Sequence, residues 1–257
     1  MAIILLVIFI ILLIIFIRLR FINLSYTAKQ FARQNVIVTG KKGTGKDVLF
    51  SAVINKRKEM AYSNINYGKY TIVKPISYLN TLPNTYENLL QGDVQIIEKN
   101  IDEETDYYLS DGGIYLPSQY DVALCKNDNY KSLPIFYTLS RHLANMNVHV
   151  NVQNINRLWI KLREHADYYI TCKYCINLGF WLYLKTIHYE SYDDCLNNKL
   201  PVRRRQRTDD KGHIEYRRYL IPKRYLTYDT RYFHRVFYGI PAPSKKIKRR
   251  KENEKQN

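Results

Sequence analysis

The chain opens on an apolar run that no polar residue interrupts. Ala2 to Ile17 is a run of sixteen residues, AIILLVIFIILLIIFI, followed at once by Arg18 and Arg20. A helix of that length spans about 24 Å, and the apolar residues around the two arginines extend it toward the roughly 30 Å of a bilayer core. The pattern therefore predicts one N-terminal membrane-spanning helix over residues 1–22.

The charges around this run predict its orientation. Arg18, Arg20, Lys29 and Arg33 all follow the apolar residues, so the positive-inside rule places the N-terminus outside and the rest of the chain in the cytoplasm. A cleaved signal peptide would need a basic segment before the run and a small-residue cleavage site after it, and the sequence shows neither. The alternative, a buried core helix, conflicts with the absence of a polar face.

Beyond a short amphipathic linker or helix expected at 23–34, strand patterns alternate with helical patterns. Runs rich in β-branched and aromatic residues predict strands at 35–39, 69–74, 94–97, 107–110, 148–153 and 168–172. Apolar residues at helical spacing predict helices at 46–61, 133–144 and 159–166. This alternation predicts an α/β domain over residues 35–180 with a mainly parallel sheet.

The last part of the chain is basic and rich in tyrosine. Residues 203–257 carry 18 basic and 6 acidic side chains, whereas residues 36–202 carry 18 and 17. We expect 181–243 to form a C-terminal extension packed on the core and 244–257 to be a disordered basic tail. Such a segment suits the DNA backbone and unpaired bases. An anionic membrane face and a packed peripheral subdomain with a solubilising charge stay open as alternatives.

Four cysteines give no dense disulfide framework, which fits a reducing compartment. Cys172 and Cys175 form one C-x-x-C pair, and His188 and Cys195 are conceivable zinc partners downstream. A single pair without a second well-spaced pair is more often a pair of ordinary buried thiols, so the zinc signal is weak.

The strongest chemical motif follows the first predicted strand of the α/β domain. Residues 36–50 read VIVTGKKGTGKDVLF and match the phosphate-loop pattern G-x-x-x-x-G-K between a strand and a helix. Glycines let the backbone amides turn toward an anion, the lysine reaches the terminal phosphates, and the helix offers its positive end. The candidate nucleotide-binding residues are Gly40, Lys41, Lys42, Gly43, Thr44, Gly45, Lys46 and Asp47.

Asp47 departs from the usual motif, in which a Ser or Thr hydroxyl binds Mg²⁺. A carboxylate is also a hard oxygen ligand for magnesium, but it brings negative charge close to the phosphates. Alternatively, Asp47 is a structural residue that caps the positive end of the helix starting there. We expect a loop that binds nucleotide but handles its metal unusually.

A partner acid is expected at the end of another strand, and Asp111 follows the strand at 107–110. In the usual arrangement such an aspartate orders the magnesium water shell and an adjacent glutamate polarises the attacking water. Gly112 stands where that glutamate is expected, so with Asp47 the chain departs from the motif twice, and we expect hydrolysis to be slow, conditional or absent. An ordinary turn at Asp111, Gly112 and Gly113 is the other interpretation.

Further polar residues follow the next strand of the pattern. Gln153 ends the strand at 148–153, where many such ATPases place a residue that senses the γ-phosphate. The alternative interpretation is a polar residue that ends the strand and has no role in binding. Arg141, Arg157 and Arg163 are candidates for a charge donated to the phosphate of a neighbouring subunit. The predicted catalytic residues are Lys46, Asp111, Gln153 and Arg141, with Asp47 and Asp111 as the Mg²⁺ ligands.

The order of these residues resembles the zonula occludens toxin family, the inner-membrane assembly ATPases of filamentous phages, which are relatives of the FtsK/HerA translocases. The resemblance covers roughly residues 35–172, with a similar aromatic and basic run, TYDTRYFHRVFYG, at 227–239. It is carried by Gly40–Lys46, by Tyr62–Ile65, by Asp111 with Leu116–Ser118, by Leu139–His142, by Val148–Gln153 and by Arg163–Tyr169.

This resemblance implies a P-loop NTPase core of the RecA/FtsK kind that uses ATP and Mg²⁺. It further implies a homo-oligomeric ring in the host cytoplasmic membrane, with phage DNA or virion coat proteins as partners. In the best-known members the membrane segment follows the ATPase, whereas here it precedes it. A non-hydrolysing membrane scaffold and a DNA-packaging translocase are the alternative functions.

Overall fold

The computed structural model describes residues 2–74, 105–112, 116, 146–200, 214–226 and 228. The predicted strand at 94–97, the predicted helix at 133–144, Arg141 and the tail at 244–257 lie outside the described residues.

A mixed sheet of eight strands forms the centre of the described structure. Its strands are β1 (Val36–Thr39), β2 (Ala61–Ser63), β3 (Thr71–Val73), β4 (Tyr107–Leu109), β5 (Val148–Val152), β6 (Tyr168–Asn177), β7 (Trp181–Tyr189) and β8 (Ile214–Pro222). The strand order is β3-β2-β4-β5-β1-β6-β7-β8, parallel throughout except for the antiparallel pairs β6–β7 and β7–β8. The predicted α/β class with a mainly parallel sheet is confirmed.

Four α-helices and two short 3-10 turns accompany the sheet in the described part of the chain. They are α1 (Ala2–Phe31), α2 (Lys46–Arg57), α3 (Ile160–Glu164) and α4 (Tyr192–Leu196), with 3-10 turns at Ile155–Arg157 and Lys223–Tyr225. The helix predicted over 46–61 ends earlier than expected, because residues 61–63 pair as strand β2 between β3 and β4.

The two faces of the sheet bury separate apolar clusters. On one face α1 and α2 pack on β1, β6 and the outer strands, with Val36 and Val38 of β1 pointing toward them. On the other face Ile37 joins Val150 of β5 and the buried residues of the 155–166 segment. This alternation is the period-2 pattern of a strand covered on both sides.

Helix α1 is continuous from the apolar run into the domain. Its first half exposes large apolar side chains, such as Ile4 at 65% and Phe9 at 63%, and the helix is long and apolar enough to cross a membrane. Its second half buries Leu24, Ala28 and Phe31, spaced as one helical face. Of the two forms expected for the segment 23–34, an amphipathic linker or a helix, the structure has a helix as far as Phe31, packed on the core.

The packed half of α1 is attached to β8 by hydrogen bonds as well as by apolar contacts. Thr27 Oγ1 lies 2.9 Å from the Tyr219 hydroxyl, and Asn23 Nδ2 donates to the Arg218 carbonyl oxygen at 3.0 Å. The segment expected at 181–243 to be an extension packed on the core thus contributes β7 and β8 to the central sheet itself.

Candidate phosphate-binding site

The phosphate loop connects β1 to α2 in conformations that only glycine adopts easily. Gly40, Gly43 and Gly45 have φ values of 149°, 81° and 96°. Two of them are also too crowded for a side chain. A Cβ on Gly40 would lie 2.6 Å from the Cys172 carbonyl oxygen, and one on Gly45 would lie 2.8 Å from Cys175 Cβ. The loop is thus seated against strand β6.

Lys46 closes this loop. Its side chain is buried, and Nζ donates to the Gly40 carbonyl oxygen at 2.9 Å and to that of Lys41 at 3.3 Å. Thr44 Oγ1 donates to the same Lys41 carbonyl at 2.8 Å. The ammonium group is therefore held over the loop, at the N-terminus of α2, where an anion is favoured by the helix dipole.

A cleft of about 700 Å³ opens beside the loop. Gln153 and Arg157, both exposed, lie on its wall with Lys41 and Lys42. The remaining wall includes residues 171–173 of β6 and residues from α4 onward. The strand end that carries Gln153 thus faces the same space as the phosphate loop.

Asp47 is hydrogen-bonded to three separate elements. Its Oδ1 accepts from the Tyr67 hydroxyl at 2.7 Å, from Ser110 Oγ at 2.8 Å and from Asn151 Nδ2 at 2.7 Å. These donors come from the loop after β2, the end of β4 and strand β5. Asp47 does not cap its own helix, since the N-cap residue is Gly45 and makes no side-chain cap. Its carboxylate instead ties the start of α2 to the rest of the sheet.

Tyr67 remains a proton donor in this cluster. Burial, followed by the negative charge of Asp47, raises the pKa of the Tyr67 hydroxyl well above its ordinary value. Tyr228, whose ring centroid lies 5.8 Å from that of Tyr67, has its pKa raised to about 12 by burial and by the same carboxylate. The residue is part of the aromatic and basic run at 227–239, and its ring extends the wall behind Asp47.

Asp111 lies at the end of β4, joined to the same cluster through its backbone. Its N–H donates to Asn151 Oδ1 at 2.7 Å, and its φ of 52° is left-handed, which aspartate tolerates better than most residues. Burial, and then the charge of Asp47, raises the pKa of the Asp111 carboxyl, while Lys46 and Lys42 oppose that rise. The two predicted metal ligands are thus electrostatic neighbours.

Gly112 follows Asp111 where the motif usually has a glutamate. A Cβ at this position would lie 2.3 Å from Val150 Cγ1. Real Cβ atoms do not approach other atoms so closely, so Val150 would have to move before any side chain fitted. The glycine is therefore required by the packing of β4 against β5.

The donors present fit a magnesium ion that is shared with a nucleotide. Asp111 supplies a half-buried carboxylate. The three described hydrogen bonds of Asp47 all go to Oδ1, so its Oδ2 atom is the one that could bind the ion. Two neighbouring carboxylates are hard oxygen ligands, and magnesium commonly takes one or two of them together with phosphate oxygens and water. Bound Mg²⁺ would neutralise charge on the phosphates.

The candidate arginines have different surroundings. Arg163 is buried, donates to Asn156 Oδ1 at 2.9 Å, and has its guanidinium 5.3 Å from the centre of the Tyr192 ring. It braces its own chain and does not reach outward to a neighbour, contrary to the expectation for this residue. Arg157 is exposed beside the cleft, and Arg141 lies outside the described residues.

The residues considered for zinc do not come together. Cys172 packs on the phosphate loop, whereas His188 is buried beside the Thr186 and Tyr219 hydroxyls, each 2.8 Å from Nε2. Cys195 lies near Thr171, with Sγ 3.8 Å from Oγ1. Within the described parts of the chain, no group of three or more such ligands could hold a metal. Burial raises the pKa of Cys172 to about 12, so this thiol stays protonated.

Sequence reasoning missed four residues that organise the site, namely Asn64, Tyr67, Ser110 and Asn151. Asn64 clasps the end of β4, since Oδ1 accepts from the Ser110 N–H at 2.8 Å and Nδ2 donates to its carbonyl oxygen at 2.9 Å. Ser110 and Asn151 are polar residues near the carboxyl ends of predicted strands, which was a usable signal. Nothing in the sequence singles out Tyr67 among 24 tyrosines.

Comparison with known proteins identifies distant structural similarity only. No family model and no curated protein matches the chain. Among solved structures, the N-terminal domain of zonular occludens toxin from Neisseria meningitidis is 10% identical with a TM-score of 0.45, over 76% of this chain and 98% of that one.

Two further structures give similar values. The genome packaging NTPase B204 from Sulfolobus turreted icosahedral virus 2, in complex with ATP-gammaS, is 14% identical with a TM-score of 0.43, over 74% of this chain and 99% of that one. ATPases 2 and 3 of EssC from Geobacillus thermodenitrificans are 11% identical with a TM-score of 0.40, over 82% of this chain and 46% of that one. Similarities of this size carry no argument about activity, substrate or partners.

Proposed function

We propose that the chain is a membrane-anchored P-loop ATPase that drives virion assembly and extrusion or the export of DNA. The observation that carries this proposal is the phosphate loop. Three glycines with positive φ turn the backbone around Lys46 at the start of α2, beside a cleft open to solvent. That arrangement suits a nucleoside triphosphate better than any other common ligand, because the amides and Lys46 match its phosphates.

In this proposal each residue of the cluster has one task. The loop and Lys46 bind the phosphates, and Asp111 and Asp47 would hold Mg²⁺. Gln153 contacts the γ-phosphate across the cleft, and Asp111, as a ligand of the ion, would order the water around it. Arg141 or the exposed Arg157 of a neighbouring subunit completes the site in a ring.

The apolar half of α1 supports the membrane part of the proposal. It would cross the host cytoplasmic membrane with the N-terminus outside and the ATPase domain in the cytoplasm, as the arginines after the run indicate. The clients would be phage DNA or coat proteins. The basic, tyrosine-rich residues near the C-terminus would contact the nucleic acid.

A second candidate function is a membrane scaffold that binds nucleotide without hydrolysing it. Two observations favour it. The position of the usual catalytic glutamate is Gly112, where packing against Val150 leaves no room for a side chain. The Oδ1 atom of Asp47 is engaged by three donors, which leaves only its other oxygen for a metal.

One pair of variants separates these functions. We would measure ATP binding and ATP hydrolysis by the full chain in lipid vesicles, with Lys46→Ala as the test and Lys56→Ala, at the other end of α2, as the matched control. Turnover lost only in Lys46→Ala supports the ATPase. Binding without turnover supports the scaffold, and absence of ATP binding with and without Mg²⁺ rejects both. Stimulation by DNA would indicate DNA, rather than coat protein, as the client.

A further inference from the structure

The hairpin between β6 and β7 ends in an apolar tip, defined here as residues 176–181. Phe180 is 88% exposed, Leu178 55% and Ile176 48%. The turn is closed by the Leu178 N–H, which donates to the Trp181 carbonyl oxygen at 2.8 Å. The apolar side chains are therefore presented to solvent by an ordered turn. A cluster of this kind at a hairpin end marks an interaction site.

The tip lies where α1 leaves the domain. The Trp181 ring packs edge-on against Phe21, with centroids 5.5 Å apart. Helix α1 is buried at Leu24 and exposed at Ile22, so this contact marks the boundary between its packed half and its apolar half. From Ala2 to Phe21 the helix rises about 28 Å, close to the thickness of a hydrocarbon core.

The surroundings of the tip are basic. The Lys223 N–H donates to the Phe180 carbonyl oxygen at 3.0 Å, and the side chains of Lys223 and Arg224 are exposed. Arg18 is exposed on α1, one turn before Phe21. The parts of α1, the hairpin and the end of β8 that meet here, residues 18–22, 176–182 and 220–224, contain no Asp or Glu. Charge and apolar exposure thus point to one partner with an acidic surface above an apolar layer.

We propose that this tip is a second membrane contact, which inserts into the headgroup region of the anionic bilayer that α1 crosses. The inference rests on the membrane anchoring proposed above. Aromatic residues prefer the membrane interface, and lysine and arginine beside them meet acidic headgroups. Two attachment points, the helix and the tip, fix the rotation of the domain about the helix axis.

The test places a single indole at the tip. The chain has two tryptophans, Trp159 and Trp181, so a background with both changed to Phe has none. In this background we would add Phe180→Trp, or Met60→Trp as the control. Met60 is also exposed, at 46%. It follows the C-terminal end of α2, whereas the phosphate loop precedes the N-terminal end. Each full chain is reconstituted in vesicles of phosphatidylcholine and phosphatidylglycerol with acyl chains brominated near the headgroup.

We expect the indole of Phe180→Trp to emit at a shorter wavelength than an indole in water and to lose most of its emission to the brominated lipid. The indole of Met60→Trp should show neither the shift nor the quenching. Equal quenching of the two variants, in chains that resist carbonate extraction, overturns the inference and leaves the anchor intact. Chains that carbonate extracts overturn the anchor and the inference together. If the emission of Phe180→Trp shifts to the blue without lipid quenching, and the shift grows with the protein density in the vesicles, the inference is overturned. A second copy of the chain then covers the tip.

Discussion

Asn151 donates its side-chain N–H to Asp47 Oδ1 at 2.7 Å and accepts the backbone N–H of Asp111 at 2.7 Å. Only one orientation of the amide satisfies both partners, because a carboxylate accepts and an N–H donates. Strand β5 thereby fixes the spacing of the two acids beside Lys46. The unusual aspartate after the loop lysine is a structural centre of the site as well as a candidate metal ligand.

Replacing Asp47 by the hydroxyl residue usual in this motif should destabilise the protein. Asp47→Thr removes the acceptor of three donors, and Tyr67, Ser110 and Asn151 are all buried. Unsatisfied buried donors cost about 1 to 3 kcal/mol each, so we expect a loss of about 3 kcal/mol in the free energy of unfolding. Urea unfolding of the full chain in detergent measures it.

Asp47→Asn is the matched control for this change. It keeps a carbonyl oxygen where Oδ1 lies and should lose only about 1 kcal/mol. An Asp47→Thr variant as stable as the original, with tighter binding of magnesium and nucleotide, would contradict a structural role for Asp47.

Restoring a glutamate at position 112 should not create an efficient ATPase. Gly112→Glu places a Cβ against Val150, and overpacking of this kind costs about 2 kcal/mol. We expect a lower melting temperature and no gain in turnover. The double variant Gly112→Ala with Val150→Ala isolates the steric cause. Its loss in free energy of unfolding should be smaller than the sum of the losses of the two single variants by about 1 kcal/mol. Additive costs would show that the two sites are not in steric conflict.

The pH dependence of stability should change when Asp111 loses its charge. The folded-state pKa of Asp111 is raised by burial and by Asp47, so its ionisation opposes folding of the ligand-free protein at neutral pH. Asp111→Asn keeps a residue that tolerates positive φ and should therefore be more stable than the original at pH 7. The difference should vanish below the ordinary pKa of aspartate, about 3.9, where both side chains are neutral.

Unfolding in urea across this pH range, together with Mg²⁺-dependent nucleotide affinity, tests the prediction. Affinity should fall in Asp111→Asn while stability rises. A variant less stable than the original at pH 7 would indicate that the carboxylate makes a favourable contact in the ligand-free state.

A second acid, Asp106, should have the opposite pH dependence. It is buried before β4, forms an ion pair with Arg57 at the end of α2, and lies 3.7 Å from His149 Nε2. Burial opposes its ionisation, but the contacts with His149 and Arg57 outweigh burial and hold the pKa of Asp106 well below its ordinary value. It therefore stabilises the fold above about pH 3.9, and this contribution is lost as pH falls toward the folded-state pKa.

Asp106→Asn should cost about 3 kcal/mol at pH 7, because the largely buried Arg57 then keeps only the exposed Glu59 carboxylate as an ionic partner. Pairing the change with Arg57→Met should recover part of that loss, since the double variant buries no charge. Thermal unfolding of the single and double variants measures the loss of stability in each. A loss in the double variant larger than the sum of the two single losses would rule out the ion pair as the cause.

Local patterns in the sequence were enough to predict the phosphate loop, helix α2 and five of the eight strands, namely β1, β3, β4, β5 and β6. The motif is contiguous, and strands such as Val148–Val152 are short segments in which β-branched residues alternate with other side chains. The fold class follows from their alternation. These features depend on neighbours in sequence, which is why they can be read without tertiary contacts.

Strands β2, β7 and β8 were not predicted, and neither was the packing of the inner half of α1 on the sheet. Strands β7 and β8 carry Thr186, His188 and Arg217, polar residues that are satisfied only by partners far away in sequence. On α1, the spacing of Leu24, Ala28 and Phe31 was readable, but the strongly apolar residues before it dominate the pattern. The network around Asp47 joins residues 20 to 104 positions apart, and only the strand order brings them together.

The unbroken course of α1 has a mechanical consequence. Thirty residues of helix form a rod about 45 Å long, clamped at one end by Phe31 against Phe50 of the phosphate-loop helix. No break in the helix separates the half packed on the sheet from the exposed apolar half. A displacement of the phosphate-loop helix would therefore reach the far end of α1 as a change of tilt.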